Sequence, residues 1–330
     1  MSDQANKLRD IIKAKNEAKA QDGIVNEDAI KTPLTDLLDE QILMQHTSKL
    51  AAKVITVTSG KGGVGKTNFT VNLAIAMSRL GKRVVIIDAD FGLANIEVLL
   101  GIIPKCSFAE VFSQKCTIEE ALTPGPSGIS FISGGSGLAK MANVTEEQLA
   151  YVLANFEVLD SYADIVLIDT GAGISKSVTA FVLASNEAII ITTPEPTSIT
   201  DAYAIIKTAR EEMTHTLNFK LIVNRVDSDD EGVEIYNKLN RVCSRFLSLN
   251  IENLGAIPYD NNLVKAVKSQ QPVLVSFPGT PSATAIDEIC HKLLFGEAKL
   301  QETALDSDNN ANSGMKSFVK RLAGIFRSKA

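Results

Sequence analysis

The sequence predicts an α/β fold, a doubly wound and mostly parallel sheet with a helical N-terminal extension and a C-terminal amphipathic helix. From about residue 52 to 298, short runs rich in Val, Ile and Leu alternate with helical stretches, as expected for strands covered on both faces. At one junction between strand and helix, from Gly60 to Thr67, the chain carries a phosphate-binding glycine loop.

The predicted strands share a nearly continuous apolar, β-branched composition. They cover Lys53–Thr58, Arg83–Ile87, Ile129–Ile132, Ile165–Ile168, Ala188–Thr192, Lys220–Val223 and Leu254–Ile257. The predicted helices share apolar residues at helical spacing. They cover Phe69 to Leu80, Glu146–Leu159, Ile199–Thr214, Gly232–Ser248 and Ser282–Leu294. The expected organisation is a helix at 1–20, a linker at 21–50, the α/β domain at 51–298, a flexible linker at 299–314 and an amphipathic helix at 315–330.

Composition limits the classes of function. The chain has 330 residues and a formal net charge of −6, which argues against broad nucleic-acid affinity. The four cysteines form no C-x-x-C pair and there are only three histidines, so no metal-ligand cluster is legible and reduced cytosolic thiols are expected. We find neither a charged-then-apolar leader nor an apolar run long enough to span a bilayer, and we expect a cytosolic protein.

The glycine loop predicts a nucleotide phosphate site. Its glycines let backbone N–H groups converge on an anion, and the next helix directs its positive end toward that anion. Lys66 is expected to reach the β- and γ-phosphates, and the Thr67 hydroxyl to ligate Mg²⁺. The predicted nucleotide-binding segment is Gly60, Lys61, Gly62, Gly63, Val64, Gly65, Lys66, Thr67 and Asn68. The predicted domain is therefore a P-loop NTPase, although Lys61 is a second lysine that such a loop does not need in its own chain.

Carboxylates follow two of the predicted strands. Asp88 and Asp90 come directly after a buried run, and Asp169 follows another, at the sheet edge where ligands bind. Asp88 is expected to hold a Mg²⁺-bound water, Asp90 to orient the attacking water, and Asp169 to be the second Mg²⁺ carboxylate. The alternative is that these residues only cap helices or turns.

Two later strand ends carry candidates for the nucleotide base. Asn224 and Arg225 end one strand, and Pro258 and Asp260 follow the next. An Asn amide can pair with the donor and acceptor of an adenine edge. The guanine-specific Asn-Lys-x-Asp sequence of GTPases is not present at Asn224, because Arg225 follows it.

The C-terminal stretch predicts a basic amphipathic helix. One apolar face is formed by Met315, Phe318, Val319, Leu322, Ile325 and Phe326. Basic residues lie off this face, and no acidic residue follows Asp308. This pattern favours insertion into the surface of an anionic membrane. The alternatives are a helix docked on its own domain and a partner-binding helix.

These residues together resemble the deviant Walker A ATPases of the MinD/ParA superfamily. The motifs are Gly60 to Thr67, Asp88-Ala89-Asp90 with Gly92-Leu93-Ala94-Asn95, Asp169 to Gly173, Thr193-Pro194-Glu195-Pro196-Thr197-Ser198, and Asn224-Arg225. The resemblance implies ATP and ADP as nucleotides and a homodimer that forms with ATP, in which Lys61 reaches the partner's phosphates. It also implies catalytic roles for Lys61, Lys66 and Asp90, and an adenine pocket at Asn224 and Pro258.

Within that superfamily the chain most resembles the FlhG family (also called YlxH, MotR or FleN), which controls flagellar number and placement. The segment from Asp3 to Arg9 is similar to that family's activator helix, which stimulates the GTPase FlhF, and Gln4, Leu8 and Arg9 are its candidate contacts. The other partners expected are flagellar C-ring components or a flagellar transcription regulator, with no direct nucleic acid. The protein is expected in the cytoplasm, and on the inner face of the cell membrane when ATP is bound.

Three other functions are compatible with these motifs. They are cell-division placement as in MinD, DNA segregation as in ParA, and a nucleotide-gated scaffold without turnover. An iron–sulfur carrier is disfavoured, because paired cysteines are lacking.

Overall fold

The computed structural model describes residues 51–90, 95–135, 151, 155–296 and 314–328. All of them belong to one of the two units into which the chain divides, Leu50–Ala330. The predicted N-terminal helix, the 21–50 linker and most of the 299–314 linker lie outside the described residues.

The described residues form an eight-stranded sheet with the order β3-β4-β2-β5-β1-β6-β7-β8. Neighbouring strands are parallel except for the pair β3–β4. The strands are β1 (Lys53–Ser59), β2 (Val84–Ala89), β3 (Thr123–Pro124), β4 (Ser130–Ile132), β5 (Ile165–Ala172), β6 (Glu187–Thr192), β7 (Asn218–Val226) and β8 (Glu252–Pro258).

Helices cover both faces of the sheet. They are α1 (Lys66–Arg79), α2 (Asn95–Leu100), α3 (Phe108–Phe112), α4 (Ile118–Ala121), α5 (Leu159–Tyr162), α6 (Lys176–Ala184), α7 (Pro196–Glu212), α8 (Asp229–Leu247), α9 (Asn261–Lys268), α10 (Val273–Ser276), α11 (Pro281–Phe295) and α12 (Met315–Ser328). The predicted doubly wound, mostly parallel α/β fold is confirmed.

The observed strand ends differ from the predicted ones for a physical reason. β5 continues past Ile168 to Ala172, because its polar end is paired with β1 and β2 and needs no apolar side chains to stay in the sheet. β3 was not predicted, since it has only two residues and contains Pro124, which reads as a breaker in sequence.

The period of two along β1 separates the two main cores. Ile55 and Val57 pack with α1, α10 and α11 on one face. Ala52 and Val54 pack with α3, α6 and α12 on the other. The sheet is thus buried on both sides, and the C-terminal ends of its strands form one edge.

The C-terminal helix α12 is docked on its own domain, the alternative that its sequence left open beside membrane insertion. Its apolar face is buried against the domain, and Phe318 stacks on Phe181 of α6 with ring centroids 6.2 Å apart. The predicted membrane residues on this face are buried or partly buried, namely Met315, Phe318, Val319, Leu322, Ile325 and Phe326. An apolar stripe of this kind fits a groove and a bilayer equally well, so the sequence pattern cannot distinguish the two.

Candidate functional site

The glycine loop lies between the end of β1 and the start of α1 at the C-terminal edge of the sheet. Gly65 precedes α1 with a φ of 97°, a conformation that costs a side chain energy and that glycine adopts freely. Gly60 packs against α7 so closely that a Cβ atom there would lie 2.3–2.4 Å from Asp201 atoms. Glycine is therefore required at both positions by backbone geometry.

Three side chains of the loop and α1 meet one carboxylate. The Lys66 ammonium lies 3.3 Å from Asp169 Oδ1, and Thr67 Oγ1 donates to Asp169 Oδ2 at 2.6 Å. Thr70 Oγ1 donates to Asp169 Oδ1 at 3.2 Å. Lys66 and Asp169 are both buried. The predicted phosphate lysine, Lys66, and two of the predicted Mg²⁺ ligands, Thr67 and Asp169, are therefore in direct contact.

Asp88 and Asp169 occupy the same register on neighbouring parallel strands, β2 and β5. Burial, helped by repulsion from Asp169, raises the pKa of Asp88 to about 7, against backbone N–H groups of Asp90 and Ile96 that lower it. Burial also raises the pKa of Asp169, although Lys66 and Thr67 oppose this shift. Two buried carboxylates side by side favour a cation between them.

Asp90 follows β2, and its carboxylate, like that of Asp88, contacts the first residue of α2. Asn95 Nδ2 donates to Asp90 Oδ2 at 2.9 Å, and the backbone N–H of Asn95 donates to Asp88 Oδ2 at 3.0 Å. A Cβ at Gly171 would lie 3.4 Å from Asp90 Oδ1. The first residue of α2 therefore fixes both carboxylates next to the segment that follows Asp169.

Lys61 points away from the loop interior and toward α7. It forms an ion pair with the Glu195 carboxylate, and its Nζ atom lies 3.1 Å from Thr197 Oγ1. The Lys61 hydrogen bond lowers the pKa of Glu195. In this arrangement the second lysine contacts its own chain.

Asn224 braces the glycine loop from β7. Its Nδ2 donates to the Val64 carbonyl at 2.6 Å, and its Oδ1 accepts from the Arg225 backbone N–H at 2.9 Å. A Cβ at Gly65 would lie 2.4 Å from Asn224 Nδ2. Arg225 adopts a φ of 62°, which carries it into the wall of the adjoining cavity.

Asp260 has a structural role that the sequence prediction of a nucleotide ligand did not include. Its Oδ1 caps α9 by accepting from the Asn262 N–H at 2.7 Å, and its Oδ2 accepts from Ser282 Oγ at 2.7 Å. Burial alone would raise the pKa of Asp260, but hydrogen bonds from Ser282 and Asn262 hold it below its usual value. Both oxygens are occupied, so this carboxylate belongs to the α9–α11 packing.

A cavity of about 530 Å³ opens over the glycine loop. Its walls are Ser59, Gly62, Gly63, Gly65, Lys66, Thr67, Asn68, Asp90, Asn95, Val98, Leu99, Ala172, Arg225, Val267 and Gln270. Most of the predicted loop residues and Arg225 line it, whereas Asn224, Pro258 and Asp260 do not. Val98, Val267 and Gln270 belong to no sequence motif that would predict them as site residues. They line the cavity only because the fold brings α2 and α9 to it.

The donors around Asp169 fit a magnesium ion. Thr67 supplies a hydroxyl, and Asp88 and Asp169 supply carboxylates, all hard oxygen donors of the kind that Mg²⁺ prefers. Among the described residues, no group of three or more His, Cys, Asp or Glu side chains could hold a metal ion. A site made of one hydroxyl, two carboxylates and nucleotide phosphates agrees with that finding.

The remaining predicted contacts lie elsewhere. The candidate partner residues Gln4, Leu8 and Arg9 are outside the described residues. In the part of the chain that the structure describes, no helix is both long enough and apolar enough to cross a membrane.

Comparison with known proteins gives consistent matches over this domain. A family model described as the CobQ/CobB/MinD/ParA nucleotide binding domain matches residues 55–273. The antiactivator FleN of Pseudomonas aeruginosa is 40% identical over 251 residues, which are 76% of this chain and 89% of FleN. The flagellum site-determining protein YlxH of Helicobacter pylori is 34% identical over 82% of this chain and 89% of YlxH.

The fold has the same kind of match among solved structures. The MinC:MinD cell division protein complex of Aquifex aeolicus contains a chain that aligns with a TM-score of 0.58 and 26% identity. The alignment covers 74% of this chain and 96% of that one. Residues 55–273, which the family model matches, include the glycine loop, Asp88, Asp90 and Asp169.

Proposed function

Because the chain belongs to the CobQ/CobB/MinD/ParA nucleotide-binding family and, within it, to the group of FleN and YlxH, we propose that it is a MinD-type ATPase that controls flagellar number and placement. The observation that carries the ATPase part is the convergence of Lys66, Thr67 and Asp169 at the glycine loop. The flagellar part is supported by the identity to FleN over most of both chains.

The glycine loop binds the phosphates of ATP. Backbone N–H groups and the positive end of α1 surround the phosphate oxygens. Lys66 leaves Asp169 and turns to the β- and γ-phosphates, since a doubly charged phosphate competes well for a buried ammonium. Thr67 and Asp169 would hold Mg²⁺, and Asp88 a water bound to it; the ion would neutralise charge that develops on the phosphate oxygens.

Asp90 positions the water that attacks the γ-phosphate. Asn95 holds one of its carboxylate oxygens, which leaves the other to accept a hydrogen bond from water. Gly171 allows the C-terminal end of β5 to lie next to this carboxylate. Chemistry of this kind depends on position and electrostatics more than on a strong base.

ATP closes two chains into a dimer in which Lys61 reaches the partner's phosphates. The pair between Lys61 and Glu195 is 38% and 56% exposed in its two side chains. Water and salt screen an exposed ion pair of this kind, so a phosphate can replace Glu195 at small cost. Because the lysine that completes each phosphate site comes from the partner chain, hydrolysis is slow in the monomer and depends on the dimer.

The dimer binds an anionic membrane through α12 after this helix leaves its groove. The apolar face that α12 buries in the domain is buried again in the lipid interface, so little apolar surface is lost to water. Basic residues beside that face add about 1 kcal/mol each near anionic lipids. Two helices in one dimer bind more tightly than one, through effective concentration. The protein then moves between the cytoplasm and the inner membrane face.

The segment at 1–20 stimulates the GTPase FlhF, with Gln4, Leu8 and Arg9 as its contacts. An added Gln or Arg at a GTPase site can raise the rate by several orders of magnitude. Flagellar C-ring components or a flagellar transcription regulator are further partners. A pull-down with ATP or ADP, with and without residues 1–20, tests all of them together.

The ATPase proposal is tested with Asp90→Ala in full-length protein. We expect hydrolysis to fall by about 100-fold or more, while ATP still drives dimerisation in light scattering. Lys66→Ala is the control that loses nucleotide binding. An unchanged rate in Asp90→Ala, or no hydrolysis by the native chain with lipid present, would contradict the proposal.

Division-site placement is the second candidate, because a MinD chain from a MinC:MinD complex shares the fold at 26% identity. Deleting the gene in its own cells distinguishes the two. Altered flagellar number with normal cell length supports the flagellar role, and filamentous or minute cells with normal flagella support the division role.

A further inference from the structure

Asp160 of α5 binds the two ends of the domain with one oxygen atom. Its Oδ1 accepts the backbone N–H of Ala52 at 2.9 Å and that of Met315 at 3.1 Å. Ala52 lies directly before β1, and Met315 is the first residue of α12. Residues that are far apart in sequence therefore share a single acceptor.

The backbones on either side of Asp160 are also in contact. Gly314 adopts a φ of 101°, and a Cβ there would lie 2.6 Å from the Ala51 Cβ and 3.3 Å from Asp160 Oδ2. Only a residue without a side chain allows this approach. The point at which the chain enters the domain and the point at which α12 begins form one junction, which we define by Ala51, Ala52, Asp160, Gly314 and Met315.

The rest of α12 is held by contacts that do not involve this junction. Phe318 stacks on Phe181, Lys316 Nζ lies 3.1 Å from Glu157 Oε1, and Arg321 Nε donates to the Ala184 carbonyl at 2.8 Å. Undocking can therefore begin at these contacts. Once it reaches Met315, Asp160 loses one of its two donors and Ala51 loses its neighbour Gly314.

We propose that the junction at Asp160 couples the docking of α12 to the anchoring of residues 51–52, the root of the N-terminal segment. Each N–H donor holds the carboxylate in the position that the other donor needs, so loss of one donor frees the carboxylate to move away from the other. Coupling of this kind is reciprocal. Release of α12 loosens the root, and a partner that pulls on the root favours release of α12.

The consequence for regulation rests on the proposed function. If residues 1–20 bind a GTPase and α12 binds lipid, both outputs leave the domain at the same junction. Membrane binding then frees the root of the activator segment, and a protein partner bound to that segment favours the membrane-bound form.

The test is hydrogen exchange with single-residue resolution on the full chain, without nucleotide, lipid or partner. Phe318→Asp places a charge in the groove and undocks α12. We expect exchange at the Ala52 amide to rise by about fivefold or more. The Lys53 amide bonds the Asp164 carbonyl instead and should keep its protection, as should Ile55 to Val57 in the centre of β1.

Asp160→Ala gives an independent answer, because it removes the shared acceptor and leaves the groove intact. It should raise exchange at both Ala52 and Met315. Lys320→Gln, an exposed substitution on α12, is the matched control and should change neither amide. If Phe318→Asp exposes the whole of β1 to exchange, Arg321→Gln replaces it as the milder release of α12.

Native exchange at Ala52 in a variant whose α12 exchanges freely would overturn the proposal. So would a rise at only one of the two amides in Asp160→Ala. These outcomes concern the junction alone, whereas failure of ATP hydrolysis or of GTPase stimulation would leave the exchange result standing and would remove only its regulatory meaning.

Discussion

The ammonium of Lys61 is ion-paired with the carboxylate of Glu195 in the same chain. The lysine that the family resemblance assigns to a partner's nucleotide is thus held against α7 in the single chain. Both side chains are partly exposed, so water competes for the pair and it is easily replaced. The side chain of Lys61 is therefore held in the single chain by a contact that a competing anion can replace.

Lys61→Ala should abolish ATP-dependent dimerisation and leave ATP affinity within about threefold of native, because Lys66 and the loop N–H groups bind the phosphates in the same chain. Light scattering and nucleotide titration measure the two effects. Lys82→Ala removes an exposed lysine after α1 and is the control. A stable ATP dimer of Lys61→Ala would show that the second lysine is not needed for assembly.

Glu195→Gln should tighten the ATP dimer by up to about fivefold, because it removes a screened ion pair that competes with the partner's phosphate for Lys61. The measurement is the dimer dissociation constant with a non-hydrolysed ATP analogue. Glu211→Gln is the matched control, since Glu211 is an exposed residue of the same helix paired with Lys207. A weaker dimer in Glu195→Gln alone would mean that this carboxylate contributes across the interface.

Arg321→Gln and Lys320→Gln should change membrane binding in opposite directions, although each removes one positive charge from α12. Lys320 is exposed, so its loss only reduces attraction to anionic lipid, by about 1 kcal/mol or fivefold. Arg321 also holds the docked helix through the Ala184 carbonyl, and a hydrogen bond from a charged group is worth about 1.5–3 kcal/mol. We therefore expect Arg321→Gln to raise binding of the nucleotide-free protein a few-fold.

Sedimentation with vesicles containing phosphatidylglycerol measures both variants, and phosphatidylcholine vesicles are the control surface. If both substitutions lower binding equally, docking of α12 does not limit access to the membrane.

Asp260→Ala should lower the free energy of unfolding at pH 7 by about 1–2 kcal/mol, the usual cost of a lost helix cap. The folded-state pKa of Asp260 is lowered, so its ionised form stabilises the native protein above the unfolded pKa. That contribution is lost as pH falls through the folded-state pKa. The difference between native and variant should therefore shrink in acid, and urea titrations across pH measure it.

Ser282→Ala removes one partner of Asp260 and should reproduce part of this loss. ATP affinity should stay within about twofold of native in both variants. A large loss of affinity in Asp260→Ala at full stability would return this residue to the nucleotide site.

Much of the site could be predicted because parallel strands bring their C-terminal ends to one edge. Asp88 and Asp169 each follow an apolar run, and the register of β2 and β5 places them side by side. The contact of Asn95 with Asp90 and the approach of Gln270 to the cavity were not predictable, because loops of unspecified path set them. Asp260 is an acidic residue that follows a strand, which in sequence usually indicates a ligand-binding residue. Only the folded structure shows that its carboxylate accepts a hydrogen bond from Ser282 instead.

The sequence by itself determined the α/β fold, the glycine loop and the carboxylates, because strand periodicity and phosphate chemistry each allow few residue types at fixed spacings. It also predicted a basic helix with one apolar face at the C-terminal end, which the structure has at Met315–Ser328. Only the tertiary structure decided where that face lies, where Lys61 points in the single chain, and that Ala52 and Met315 share Asp160. Those contacts join residues that are far apart in the chain. They depend on how side chains pack and hydrogen-bond in the folded protein, which the local sequence pattern does not specify. The glycine loop is thus legible in sequence, whereas the connection between the two ends of the domain exists only once the chain has folded.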